Sequence, residues 1–142
     1  YPVELRDLLP TFLEIAGGTV PEDMDGRSLC TLVQYPHPVW RKYIDLEHAT
    51  CYSEDNYWCG LTDGKMKYIW SLHNGSEQLF DLQKDPTELH NCVSEPDYGP
   101  ILGEMREALA AHLQERGDAF VKNGKLQTLS RTLLYSPNFP KP

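Results

Sequence analysis

Leu5, Leu8, Leu9, Phe12, Leu13 and Ala16 recur at the spacing of one helical face, with Glu4, Arg6, Asp7 and Glu14 mostly off it. The pattern predicts an amphipathic helix that packs on something large. Pro10 has no amide proton to give a helix interior, so regular helix either begins there or is kinked there. Gly17-Gly18 supplies the stop. The stretch "GGTVPEDMDGRSL" is rich in turn formers, and Ser28 can cap a short second helix over residues 29–33 by accepting a backbone hydrogen bond. Two prolines in "QYPHPVW" end that helix.

From Arg41 the period changes. "RKYIDLEH", "YWCGLT", "KMKYIWSL" and "EQLFDL" are short aromatic and branched runs, with "TDGK" and "HNGS" dividing the later ones. Asp-Gly and Asn-Gly steps favour tight hairpins because these residues tolerate positive φ, so the runs predict a meander of about four antiparallel strands. Beyond the loop "SEPDYGP", Pro100 suits the first turn of a helix. Ile101 or Leu102, Met105, Leu109 and Leu113 then form a stripe, up to Arg116-Gly117, that should cover one face of the sheet. Residues 118–142 show weak periodicity and end in "YSPNFPKP", which reads as an extended tail.

The fold class expected is therefore α+β, a small four-stranded antiparallel sheet packed by a C-terminal helix and preceded by a helix that belongs with a larger domain. With 142 residues there is material for one domain or part of one. The opening Tyr1-Pro2-Val3 lacks an initiator Met and runs at once into the amphipathic pattern, so the chain reads as a piece of a longer protein. The net charge of -8 argues against a nucleic-acid partner, which requires clustered Lys and Arg. No apolar run approaches the roughly 20 residues of a membrane helix, so no membrane partner is expected.

Candidate chemistry is sparse. The chain has no G-x-S-x-G, H-E-x-x-H, Walker or dinucleotide-binding motif. His37, His48, His73, His90 and His112 are scattered singly, none paired with His or Cys at a helical metal spacing, so no self-contained metal site is expected. Cys30, Cys51, Cys59 and Cys92 include no C-x-x-C pair and read as buried thiols, although Cys51 and Cys59 could bridge a bent loop if their Cα atoms lie within about 7 Å.

Two polar stretches remain. In "LFDLQKDPTELHN", Asp85-Pro86 begins a turn and Glu88 and Asn91 can close it, which accounts for the charges without catalysis. In "DLEHATCYSEDNYWCG", a loop between two strands gathers Glu47, His48, Tyr52, Glu54, Asp55 and Trp58. Such loops on a rigid sheet are where recognition residues sit. His48, with Tyr52 and Trp58, is the candidate substrate-binding set. The bland alternative is a strand end, packing aromatics and a solvated turn.

These pieces together resemble the C-terminal region of arylsulfatase-type sulfatases. In that family a helix of the form D-x-x-P-T-x-L-x-x-A-G precedes P-x-x-x-D-G-x-S-L. Here Asp7, Pro10, Thr11, Leu13, Ala16 and Gly17, then Pro21, Asp25, Gly26, Ser28 and Leu29, hold those places. Lys65, Lys67, Tyr68 and Ile69, then the L-F-D-L-x-x-D-P-x-E-x-x-N segment at residues 79–91, follow in the family's order.

The resemblance covers residues 3 to 116. It implies an alkaline-phosphatase-like α/β domain, of which residues 1–36 would be the last helices and connection. Residues 37–117 would be the antiparallel-sheet subdomain, and 118–142 the tail. It implies hydrolysis of a sulfate ester, on a sulfated carbohydrate or an aryl group, by a formylglycine made in a C-x-[PA]-S-R motif beside calcium. None of the four cysteines is followed by that motif. Catalytic residues and metal ligands are therefore expected upstream, in a catalytic domain that is this chain's partner. The chain would contribute fold closure and substrate-pocket rim. A periplasmic or secreted setting follows from the resemblance alone. A non-catalytic binding module of the same ancestry, or part of a phosphodiester or phosphonate hydrolase, is the competing reading.

Overall fold

The computed structural model describes residues 1–49 and 53–129, which fall into two compact units, Tyr1–Ile44 and the part that follows from Asp45. In the first unit a 3-10 turn, Leu5–Asp7, leads directly into helix α1, Leu8–Ile15. Pro10 does not start this helix. It sits within the first turn, where its missing N–H has no intrahelical partner to lose. Gly17 adopts φ +74°, and the Gly17 and Gly18 amides donate to the Glu14 and Leu13 carbonyls, closing the helix in a Schellman motif.

Helix α2, Cys30–Gln34, lies one residue later than predicted, and the Ser28 hydroxyl accepts from the Cys30 amide at 3.2 Å. The apolar side of α1 stays largely open within this unit: Phe12 is 62% and Ile15 71% exposed.

The centre of this unit is one carboxylate. Fully buried Asp7 accepts both guanidinium nitrogens of Arg41, at 2.6 and 2.7 Å, and the amides of Glu4 and Arg27, each at 2.9 Å. The Thr11 hydroxyl donates to the Asp7 carbonyl at 2.6 Å and accepts from the Leu29 amide at 2.9 Å. These bonds draw residues 26–29 against α1, so tightly that a Cβ on Gly26 would lie 1.9 Å from the Arg6 carbonyl oxygen. The motif residues Asp7, Thr11 and Gly26 are thereby explained as one clamp. Burial raises the Asp7 carboxyl, but the Arg41 guanidinium and the two backbone donors overcome it and hold the group down at about 2.

The second unit carries a sheet of order β1-β2-β3-β4, with strands Ile44–His48, Trp58–Thr62, Met66–Ser71 and Glu77–Asp81. The pairings β2 to β3 and β3 to β4 are antiparallel, placing Leu61 opposite Tyr68 and Tyr68 opposite Leu79. Helix α3, Gly99–Leu113, packs on β2 and β3. Its stripe of Leu102, Met105, Leu109 and Leu113 is buried with Cys59, Leu61, Tyr68 and Leu79 to form the core. Each such side chain contributes about 1.5–3 kcal/mol of apolar burial.

The antiparallel sheet and its covering helix agree with the α+β expectation. Of the stretch 118–142 expected as an extended tail, residues 130–142 lie outside the described residues; before them β5, Val121–Lys122, and β6, Lys125–Leu126, pair across Asn123 and Gly124, both with positive φ. That Asn-Gly step supplies the left-handed residues a two-residue hairpin turn requires, and Val121 anchors the hairpin in the core.

Candidate functional site

His48 ends β1 and Trp58 begins β2, and the fold stacks their rings with centroids 6.1 Å apart and planes inclined by 25°. The His48 Nδ1 lies 2.8 Å from the Ala49 carbonyl oxygen and 2.9 Å from that of Asn56. Two acceptors at one ring nitrogen place the proton of the neutral imidazole on Nδ1 and the lone pair on Nε2. Trp58 also lines an open pocket of about 270 Å³ with Asp55, Ser71, Asn74, Ser76 and Gln78. Ile69 completes the lining, so the pocket combines an indole and one aliphatic side chain with short hydroxyls, amides and a carboxylate, a mixture that can contact both the faces and the hydroxyls of a polyhydroxylated ring. Tyr52, the third member of the predicted set, lies outside the described residues.

Cys59 is a buried free thiol, and Cys51, the partner of the expected bridge, lies outside the described residues. Its side chain points to the α3 side of the sheet, and burial, reinforced by the nearby Glu47 carboxylate, pushes the thiol up to about 11.

The corner after β4 is held by side-chain bonds to backbone. Asp81 accepts the amides of Gln83 and Lys84, each at 3.2 Å, and the Tyr98 hydroxyl at 2.9 Å. Asp85 accepts the Thr87 hydroxyl and the His90 amide, both at 2.8 Å. Pro86 lies in the turn between these bonds. Glu88 takes a positive φ of 56° and pairs with Lys67 at 2.7 Å. The Asn91 side chain accepts the Leu79 amide at 2.9 Å and the Val93 amide at 3.2 Å, and donates to the Glu77 carbonyl at 3.2 Å. Asp85, Glu88 and Asn91 thus spend their polar atoms on the chain's own path.

Sequence reasoning did not reveal Glu77 as a hub: its carboxylate accepts the buried Tyr68 hydroxyl at 2.5 Å and the Arg106 Nε at 2.6 Å. The alternation of β4 and the stripe of α3 carried no sign of it. Nor did the scattered histidines announce that His90, Cys92 and Glu95 bring one donor atom each to within 4.8 Å of one another.

The described residues thus form a unit built on a carboxylate clamp and a second unit in which an antiparallel sheet is buried under one helix, with an aromatic stack where β1 ends and β2 begins. Residues 3–115 match the family described as N-sulphoglucosamine sulphohydrolase, C-terminal, and the chain belongs to that family.

It is 34% identical over 124 residues to an arylsulfatase of Clostridium perfringens, covering 87% of this chain and 25% of that protein. It is 29% identical over 147 residues to a delta 4,5-hexuronate-2-O-sulfatase of Bacteroides thetaiotaomicron, covering 94% of this chain and 28% of the relative. The chain thus spans little more than a quarter of each. Among solved structures, one in complex with its substrate D-glucosamine-2-N,6-O-disulfate superposes with TM-score 0.65 at 26% identity, over 79% of this chain and 24% of the other. A phosphonate monoester hydrolase from Silicibacter pomeroyi shares the fold, with TM-score 0.59 at 23% identity over 79% of this chain and 24% of the other.

Sulfatases of this kind imply calcium and a formylglycine, and the residues present fit neither. Cys59 and Cys92 are buried thiols in the sheet and corner, and no cysteine carries the C-x-[PA]-S-R context. Among the described residues, the one cluster of three or more potential ligands contains a thiol and an imidazole, unlike the all-oxygen set that calcium takes.

Proposed function

We propose that this chain is the C-terminal portion of a sulfatase that hydrolyses sulfate esters of carbohydrates, and that it supplies rim and closure while the nucleophile lies in the rest of the protein. The observation that carries this reading is the His48–Trp58 stack beside a pocket lined by hydroxyls and amides, in a chain of this family. Trp58 offers a sugar face a stacking platform. His48 Nε2 can accept from a hydroxyl, or when protonated donate to a sulfate oxygen. The open apolar side of α1, with Phe12 and Ile15 foremost, supports docking on the catalytic portion.

The similarity to the hexuronate-2-O-sulfatase and to the glucosamine-disulfate complex supports a sulfated glycan over a simple aryl sulfate as substrate. Phosphonate hydrolysis is the second reading, favoured only by the shared fold.

The test is kinetic and uses the intact enzyme. His48→Ala and Trp58→Ala should each raise KM for a sulfated disaccharide about tenfold, equivalent to about 1.4 kcal/mol of lost binding, with a smaller change for a compact aryl sulfate. Unchanged kinetics for the disaccharide in both variants would overturn the rim assignment. Faster hydrolysis of a phosphonate monoester, to free phosphonate and alcohol, than of the sulfate ester would establish the second reading.

A further inference from the structure

We propose that His90, Cys92 and Glu95 form a zinc site at the corner following β4. The three donors are an imidazole nitrogen, a thiol sulfur and a carboxylate oxygen, within 4.8 Å of one another. This soft and borderline set selects zinc over calcium or magnesium. On binding, the Cys92 thiol gives its proton to solvent, and thiolate and carboxylate together balance the two positive charges of the ion. The neutral imidazole completes three protein ligands, and water takes the fourth tetrahedral position.

The backbone beneath the site is already fixed. Asp85 holds the His90 amide, Asn91 ties the segment to β4 through the Leu79 amide, and the Glu95 amide donates to the Cys92 carbonyl at 3.0 Å. Only side chains need to adjust. Ligand atoms around tetrahedral zinc stand roughly 3.3 to 3.7 Å apart, given bonds of about 2.0 to 2.3 Å. His90 Nε2 and Glu95 Oε1, now in direct contact, must therefore part to admit the ion, while the Cys92 sulfur must draw nearer. His90 and Glu95 are both solvent-accessible and can make that adjustment, whereas Cys92 is buried, so the ion would lie between its sulfur and solvent. The backbone bonds of the corner stay in place, while the Cys92 thiol gives up its bond to the His90 carbonyl, now at 3.7 Å, and the His90–Glu95 contact opens. This inference is independent of the sulfatase reading.

The experiment is cobalt titration of the intact protein in buffer saturated with calcium, followed by zinc competition. One equivalent of cobalt should bind at micromolar concentration, with a thiolate-to-cobalt absorption in the near ultraviolet that zinc abolishes. His90→Ala and Glu95→Gln, at accessible side chains, should each weaken binding at least tenfold, and Cys92→Ser should remove the absorption. Zinc should also raise the melting temperature of the wild type and not of His90→Ala. No stoichiometric uptake, or uptake and absorption that survive His90→Ala and Glu95→Gln unchanged, would overturn the site; because both variants leave the core intact, a folding failure of Cys92→Ser does not obscure the result.

Discussion

Replacing Asp7 by Asn keeps the volume of the clamp and removes its charge. The ionic part can be sized from the carboxyl itself: its drop from 3.8 to about 2, at about 1.4 kcal/mol per pH unit, gives about 2.5 kcal/mol. The folded value lies below the unfolded one, so this contribution is complete above about pH 4 and is lost as pH falls toward 2.

The Asn side chain adds a second cost. Asp7 faces only donors, namely Arg41 and the amides of Glu4 and Arg27, and an amide NH2 group turned toward them opposes at least one. The ionic and stranding parts together, as for one partner removed from a buried pair, amount to about 3–5 kcal/mol. Arg41 keeps Glu4 at 3.2 Å, which places Asp7→Asn near the lower end, at about 3 kcal/mol. The Leu29 amide, bonded to Thr11 inside the clamp, reports local opening. At pH 7 its hydrogen exchange should accelerate about a hundredfold, and the wild type should lose most of the difference on titration to pH 2.5. Acceleration below fivefold, or a difference that does not shrink in acid, would refute the assignment of Asp7 as the ionic centre of this unit.

Two further outcomes follow from geometry. Gly26→Ala drives a Cβ into the Arg6 carbonyl, and should release residues 26–29 from α1 at a cost above about 3 kcal/mol, read by the same Leu29 exchange. Asn91→Ala leaves the Leu79 and Val93 amides without their acceptor and should cost about 2 kcal/mol in urea unfolding, with no change in the sheet's secondary structure; a midpoint equal to wild type would show that water replaces the side chain.

The last three strands were legible because their aromatic and branched runs flank turn signals, and Gly64 and Gly75 do adopt the positive φ those signals promise; the first was legible from its own alternating run. The hairpin at Val121–Leu126 carries the same Asn-Gly signal, but its two-residue strands offer only Val121 and Leu126 as apolar positions, too few to show a period. The α3 stripe was legible through its helical spacing, and the place of Pro10 was not, because helix phase at an N-terminus is set by tertiary partners such as Asp7 and Thr11.

The site was less readable than the fold. His48 and Trp58 were singled out from loop polarity, yet their stacking depends on strand register. Asp7 looked like an ordinary polar residue of an amphipathic helix because its partner Arg41 is 34 residues away. His90, Cys92 and Glu95 escaped notice because they meet on an irregular corner, where helical ligand spacings do not apply.

The Asp7–Arg41 fork also acts as a non-covalent clasp on the path between them. Closing a flexible loop costs free energy only logarithmically, about 0.6 kcal/mol for each doubling of its length. Within this loop, residues 26–29 are pinned and Gly26 admits no side chain, while Thr19 and Val20, ahead of the motif that opens at Pro21, contribute none of the clamp bonds described above. Insertions there would extend a surface loop at a cost well below what the clasp supplies, so evolution can vary that stretch between relatives, in length and charge, without disturbing the residues that hold the unit together.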